Sequence, residues 1–173
     1  HDLSHALAAR GHSVAVATLW QPGLAEFELD GGVAVYRLRG LAQRAAWLYK
    51  DNERRHAPPL PDPETTWGLR EVLQREQPQI VHAHNWLIHA YLPLEPLHAA
   101  RLIVSLHDYS LVCVQKRLMR FDAPCAGPGL RKCLECAAHH YGGSKGSVTY
   151  FGNLAMSAWE RRAVDLFLPV SKA

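Results

Sequence analysis

The sequence has no apolar run near the ~20 residues that a membrane-spanning helix requires. It does not open on the charged, apolar and small-residue succession of a secretory signal. Charged residues are only 20% of the 173, and the surplus of basic over acidic groups is small, at a formal net charge of +3. So weak a charge bias gives no ground for nucleic-acid binding. Cysteine is absent outside one short stretch, where all four cysteines lie between positions 113 and 136. Hydrophobic residues make up 48% of the chain, too many for a disordered or fibrous protein. The length suits one ordinary domain with a real core. Histidine is plentiful: eleven of them would make the chain more basic at mildly acid pH.

Short apolar runs alternate with helical periodicity. HDLSHALAARGHSVAVAT (1–18) places Leu3, Ala6 and Leu7 at helical spacing, Gly11 at a C-cap position and a strand over Val14 to Thr18. GGVAVYRL (31–38) reads as a strand after a Gly-Gly turn, and 39–65 as a long basic, then proline-rich loop. Trp67 to Gln77 carries Leu69, Val72 and Leu73 at helical spacing and is stopped by Pro78. QIVHAH (79–84) is a strand, Asn85 to His98 a helix interrupted by Pro93 and Pro96, and RLIVSLH (101–107) a strand buried on both faces. Val148 to Val164 reads as a helix and DLFLPVS (165–171) as a last strand. Strands alternating with helices predict an α/β domain with a doubly wound, Rossmann-like parallel sheet.

In such sheets ligands bind beyond the carboxyl ends of the strands. Two strands here end in polar clusters, VHAHNW with His82, His84 and Asn85, and SLHDY with His107, Asp108 and Tyr109. One such histidine would be an ordinary solvated strand end. Two strands ending in histidine-plus-polar pairs point to a cleft instead.

ALAARGHSVAVAT, PQIVHAHNW, LIVSLHDYSLVC and VDLFLPVS, taken in order, resemble the amino-terminal domain of a family 4 glycosyltransferase of the GT-B fold. The resemblance covers most of the chain, 39–65 contributing little. It implies an enzyme that transfers a sugar from a nucleotide-sugar donor to an acceptor with retention of configuration, this domain mostly binding the acceptor. His107 falls where the family has a histidine beside the donor sugar and leaving phosphate. An imidazole there could hydrogen-bond the sugar or steady charge on the diphosphate. His84 and Asn85, with Tyr109, are assigned to the acceptor side; Asp108 is either a general base or a residue that caps the turn or orients His107. No catalytic metal is expected. The acceptor would be a sugar or a lipid-linked sugar, the setting cytoplasmic and peripheral membrane contact an option.

The family pattern has a strand and a glycine-rich loop before ALAARGH, and a second, donor-binding domain after VSKA. Neither is in this sequence, which is therefore expected to be one domain, 1–173, with a cysteine-rich insertion at about 109–147. Alone it would be inactive.

Cys113, Cys125, Cys133 and Cys136 all lie in that insertion, and Cys133-Leu-Glu-Cys136 has the spacing by which two thiolates chelate one metal. The stretch APCAGPGLRKCLEC has little apolar material to fold around. A structural Zn²⁺ on four thiolates would close it, with His139 or His140 able to replace a sulfur, and an iron–sulfur cluster is chemically open too. Free buried thiols are the other reading, a disulfide being disfavoured in a reducing cytosol.

Arg37, Arg39, Arg44, Lys50, Arg54 and Arg55 make a basic segment, diluted by Asp51 and Glu53, that would suit an anionic acceptor or merely face solvent. Lys116, Arg117, Arg120, Arg131 and Lys132 flank the cysteines and would meet phosphate if that loop covers the cleft. Trp47, Trp67 and Trp159 read as packing residues, whereas Trp86 directly follows the His84-Asn85 strand end. HYGGSKGS (140–147) lacks the preceding strand and spacing of a phosphate loop and reads as a helix lead-in. Besides a transferase domain, two other classes are consistent with the residues: a non-catalytic sugar- or nucleotide-binding domain, and a metal-stabilised interaction module.

Overall fold

The computed structural model describes residues 2–44 and 57–170. Helix α1 (Asp2–Ala9) leads into strand β1 (Ala15–Leu19), followed by β2 (Phe27–Asp30) and β3 (Val33–Leu38). β1 pairs with β3 in parallel, Ala15 opposite Ala34, and β2 adds antiparallel to the far side of β3. β2 escapes a reading of the sequence because FELD is short and mostly exposed. Its hairpin is fixed by Gly31 and Gly32, whose φ angles of 54° and 85° suit the tight turn whose twist matches the strands.

A short helix α2 (Leu41–Arg44) and helix α3 (Pro63–Glu76) flank the residues outside the description. α3 begins earlier than its apolar periodicity suggests because DPET is a start signal. Asp62 is the N-cap, its carboxylate accepting the Thr65 N–H at 3.1 Å, and Pro63 occupies the first turn. Leu69 and Leu73 form its buried stripe. Gln77, at φ 43°, ends it just before Pro78.

The second sheet is wholly parallel, in the order β4 (Ile80–Ala83), β5 (Arg101–Leu106), β8 (Leu166–Pro169). Val81 faces Leu102 and Ile103 faces Leu166. Asp165 pins this sheet at its amino edge, accepting from Leu102 N–H at 2.8 Å and from Arg101 Nη1 at 2.7 Å. The Arg101 hydrogen bond, with that backbone N–H, holds its carboxyl below the usual range. On β5, Leu102 and Val104 are buried and Ile103 and Ser105 only half-buried, so one face is sealed more fully than the other.

The arrangement is a Rossmann-like α/β domain. It differs from one continuous sheet in that six of the described strands form two three-stranded halves, with β1 and β4 each hydrogen-bonded on one side only. Side chains rather than backbone join the halves: Leu38 from the first sheet and Leu102 and Val104 from the second share one core cluster with Leu73, Leu92 and Met156.

The helix expected over Asn85 to His98 is broken into α4 (Ile88–Tyr91) and a 3₁₀ turn (Glu95–Leu97). Pro93 and Pro96 remove the N–H groups that a continuous helix needs. The cysteine-rich insertion is more ordered than its composition suggests. It holds a two-residue-per-strand hairpin, β6 (Met119–Arg120) with β7 (Ala123–Pro124), then helix α5 (Leu130–Tyr141). Helix α6 (Gly143–Ala163) starts five residues before its expected start at Val148, Gly142 at φ 89° marking the break from α5. The two helices touch closely at Gly146, where a β-carbon would come within 2.5 Å of the Ala137 carbonyl oxygen. None of the described helices is long and apolar enough to cross a membrane.

Candidate active site

β4 and β5 are parallel neighbours, so alternate residues on them share a face. His82 and His84 lie two apart on and just past β4, and Ser105 and His107 two apart on and just past β5. The result is a ladder. His82 Nε2 lies 2.8 Å from Ser105 Oγ, and His84 Nδ1 lies 3.0 Å from His107 Nε2. The His82 and His84 rings are 4.2 Å apart between centroids, and those of His84 and His107 5.2 Å.

A hydrogen bond between two imidazole nitrogens needs one N–H and one lone pair, so His84 and His107 hold a proton between them while one ring stays neutral. Burial, then the neighbouring imidazole of His107, lowers the pKa of His82; burial, then His82 and His107, lowers that of His84. His84 and His107 are both exposed at the outer end of the ladder. His107 is thus backed by imidazoles biased toward the neutral form.

The other strand-end residues divide. Asn85 Oδ1 accepts the Leu87 N–H at 2.8 Å, closing a turn into α4 and leaving its NH₂ as a donor. Asp108 closes the matching turn after β5, its Oδ1 accepting the Ser110 N–H at 2.8 Å. No hydrogen bond between Asp108 and His107 is found among the described residues, which favours the turn-capping role among those open to it. Tyr109 is exposed at 45%, and its N–H donates to the Lys116 carbonyl at 3.1 Å.

That last bond brings in Lys116, which the sequence offered only as one of five basic residues flanking the cysteines. The chain after Tyr109 turns back, and the Lys116 ammonium rests 3.9 Å from the centre of the Trp86 ring. Lys116, Trp86 and Asn85 line an open cleft of about 210 Å³ whose other wall carries Thr18 and Gln21 from the end of β1. Of the basic group around the cysteines, only Lys116 enters this cleft. Arg117 is exposed, and Arg120 and Arg131 both bond Glu135 at 3.3 Å. A lysine seven positions past Tyr109 gives no local signal, because only the loop's return brings the two together.

Trp86 is buried between this lysine and His89, whose ring stacks on it at 5.8 Å. His89 is fully buried and bonded to Glu160 Oε1 of α6 at 2.8 Å, so α6 anchors α4 and the strand end preceding it. Trp67 and Trp159 are partly exposed, at 60% and 38%, rather than core residues, and Trp47 lies outside the described residues. In the first basic segment Arg37 pairs with Glu28, Arg39 with Glu26 and Arg44 with Glu64; Lys50, Arg54 and Arg55 lie outside the description.

All four cysteines are free thiols. Cys136 is buried; burial first, then the nearby Cys113, Cys133 and Cys125, raises its pKa. Its sulfur receives the Gln115 side-chain amide at 3.0 Å, and the Cys133 sulfur the Gly129 N–H at 3.3 Å. His139 and His140 pack edge-on against Phe121 and Tyr141. Among the described residues no three Cys, His, Asp or Glu side chains stand in a metal-ligating array.

Residues 1–166 match the family model described as a glycosyl transferase 4-like domain. Neither a curated protein nor a solved structure matches the chain.

Proposed function

Because the chain belongs to the glycosyl transferase 4-like family over nearly its whole length, we propose that it is the acceptor-side domain of a retaining glycosyltransferase that uses a nucleotide-sugar. The family makes glycosyl transfer the general activity; the donor, the stereochemistry and the side of the cleft are the proposed part. The nucleotide would be held mainly by a donor domain outside this sequence, and the acceptor would be a sugar or a lipid-linked sugar met in the cytoplasm.

The observation that carries the reading is the histidine ladder at the carboxyl edge of the parallel sheet, ending in the exposed pair His84 and His107. In the reaction the acceptor oxygen bonds to the anomeric carbon as the bond to the diphosphate breaks, and the acceptor's proton passes to the departing phosphate oxygen. His107 would donate a hydrogen bond to the sugar or to the charge growing on that phosphate. His84 would fix the tautomer and tilt of His107, and Asn85 and Tyr109 would position the acceptor. Asp108 would hold the turn that presents His107, its second carboxylate oxygen remaining available to an acceptor hydroxyl.

The test is turnover of the full natural polypeptide against a panel of nucleotide-sugars, with His107→Ala beside the wild type. Loss of a positioned acid–base or charge-stabilising group is expected to slow transfer about 10²- to 10⁴-fold. Near-normal turnover in that variant overturns the catalytic role of His107. Sugar or nucleotide binding without any turnover would make the domain a binding module.

A further inference from the structure

Lys116 has features that a solubilising lysine does not need. Its backbone is in the left-handed region, at φ 65°, which a non-glycine residue adopts at a cost in strain. Its ammonium makes no ion pair among the described residues, its neighbour being the face of Trp86 at 3.9 Å. Burial lowers its pKa, with the Asp108 charge opposing that shift, so the cation is partly stripped of water. It does so on the wall of an open cleft of about 210 Å³ rather than in the core.

The rest of the lining includes three residues with neutral hydrogen-bonding side chains, Thr18, Gln21 and Asn85. The Asn85 oxygen is already engaged by Leu87 N–H, so what Asn85 offers the cleft is its NH₂. One point charge with several neutral donors matches a compact group with more than two acceptor oxygens. A carboxylate presents its two oxygens in one plane, whereas the tetrahedral oxygens of a phosphate can meet donors converging from several directions.

We propose that this cleft is a phosphate-binding subsite, with Lys116 as its charged residue and Asn85, Gln21 and Thr18 as its neutral donors, seated on the Trp86 ring. Tyr109 N–H bonds the Lys116 carbonyl, so the subsite is built on the same turn that presents His107. The substrate role rests on the transferase reading; phosphate binding by the cleft does not. The phosphate would belong either to the acceptor, as in a sugar phosphate or a phosphate-linked lipid, or to the donor.

The experiment uses the full natural polypeptide and its Lys116→Gln, Lys116→Arg and Lys116→Gly variants. Glycine removes the ammonium while easing the left-handed backbone, so that variant should fold at least as well as the wild type. Inorganic phosphate and pyrophosphate are titrated calorimetrically. Binding is expected to weaken about tenfold or more in the Gln and Gly variants and to persist in Arg. Equal affinity in all four proteins, or none in the wild type, overturns the subsite. In turnover, a raised KM for the acceptor with kcat largely kept assigns the phosphate to the acceptor, and a raised KM for the nucleotide-sugar assigns it to the donor. Phosphate binding through Lys116 in a protein with no transferase activity would refute the transferase reading and leave the subsite standing. Active protein in which Lys116 affects neither binding nor KM would do the reverse.

Discussion

Replacing Glu160 by alanine should cost this domain far more than an average helix substitution. Its Oε1 lies 2.8 Å from Nε2 of His89, which has no exposed surface, and the other ring nitrogen reaches only the Pro58 carbonyl at 3.4 Å. Truncation would leave a buried imidazole nitrogen without a partner, worth about 1–3 kcal/mol. The lost contacts of the Glu160 methylenes add about 1 kcal/mol. A total near 3 kcal/mol corresponds to a fall of roughly 6–12 °C in Tm for a domain of this size. Glu160→Gln keeps an acceptor oxygen and should lose about 1 kcal/mol.

The decisive variant is the double substitution His89→Leu with Glu160→Leu. Removing both partners leaves neither side of the His89–Glu160 bond unsatisfied, so its loss should be smaller than the sum of the two single losses by about 1 kcal/mol or more. Urea denaturation followed by circular dichroism gives all four stabilities. Strictly additive losses would refute the claim that this pair, 71 positions apart, is an energetic unit tying α6 to α4. The functional consequence is also measurable. Trp86 stacks on His89 and carries Lys116, so Glu160→Ala should weaken phosphate binding even at temperatures where the protein stays folded.

Gly146→Ala should destabilise by about 1–3 kcal/mol, because the new methyl meets backbone of α5 and not a movable side chain, at 2.5 Å from Ala137 O; an unchanged denaturation midpoint would show that the helices separate freely. His82 and His84 have folded pKa values below the ordinary one, so unfolding takes up protons and stability should fall as pH drops below about 6.5, levelling off under the folded values. The variant His82→Asn/His84→Asn should show a shallower decline over that window, and an identical slope would remove these residues from the pH response. For the cysteine loop we propose a structural Zn²⁺ on Cys113, Cys125, Cys133 and Cys136, whose thiols would have to move inward to complete a four-sulfur array. Anaerobically purified protein should then carry one equivalent of zinc and become protease-sensitive in the loop on chelation, whereas metal-free protein with four alkylatable thiols would leave them as free cysteines.

Strand positions and the functional edge were legible because both depend on short-range pattern. Apolar runs marked β1, β3, β4, β5 and β8, and the polar clusters that end two of them drew attention to His82, His84, Asn85, His107, Asp108 and Tyr109. Parallel pairing places those strand ends side by side, whereas the Ser105 partner of His82 was not read from the sequence. Boundaries set by local chemistry were partly legible: Asp62-Pro63 starts α3, a signal hidden in a stretch that reads as loop. Helix α5 was obscured because APCAGPG precedes it and its cysteines suggest metal chemistry before periodicity.

Tertiary structure alone decided what depends on the chain returning to itself. The turn from Tyr109 to Lys116 sets an ammonium against Trp86, and neither residue type announces the meeting. Ion pairing of Arg37, Arg39 and Arg44 decided that part of the first basic segment is neutralised locally, while Lys116 is left facing a cleft. The division of the strands into two halves joined by a shared core is likewise a packing outcome. Sequence periodicity specifies which side of an element is apolar; it carries no information about which distant element covers it. The strand ends and their histidines were therefore fixed by the sequence itself, and the partner of His89 and the seat of Lys116 by the fold.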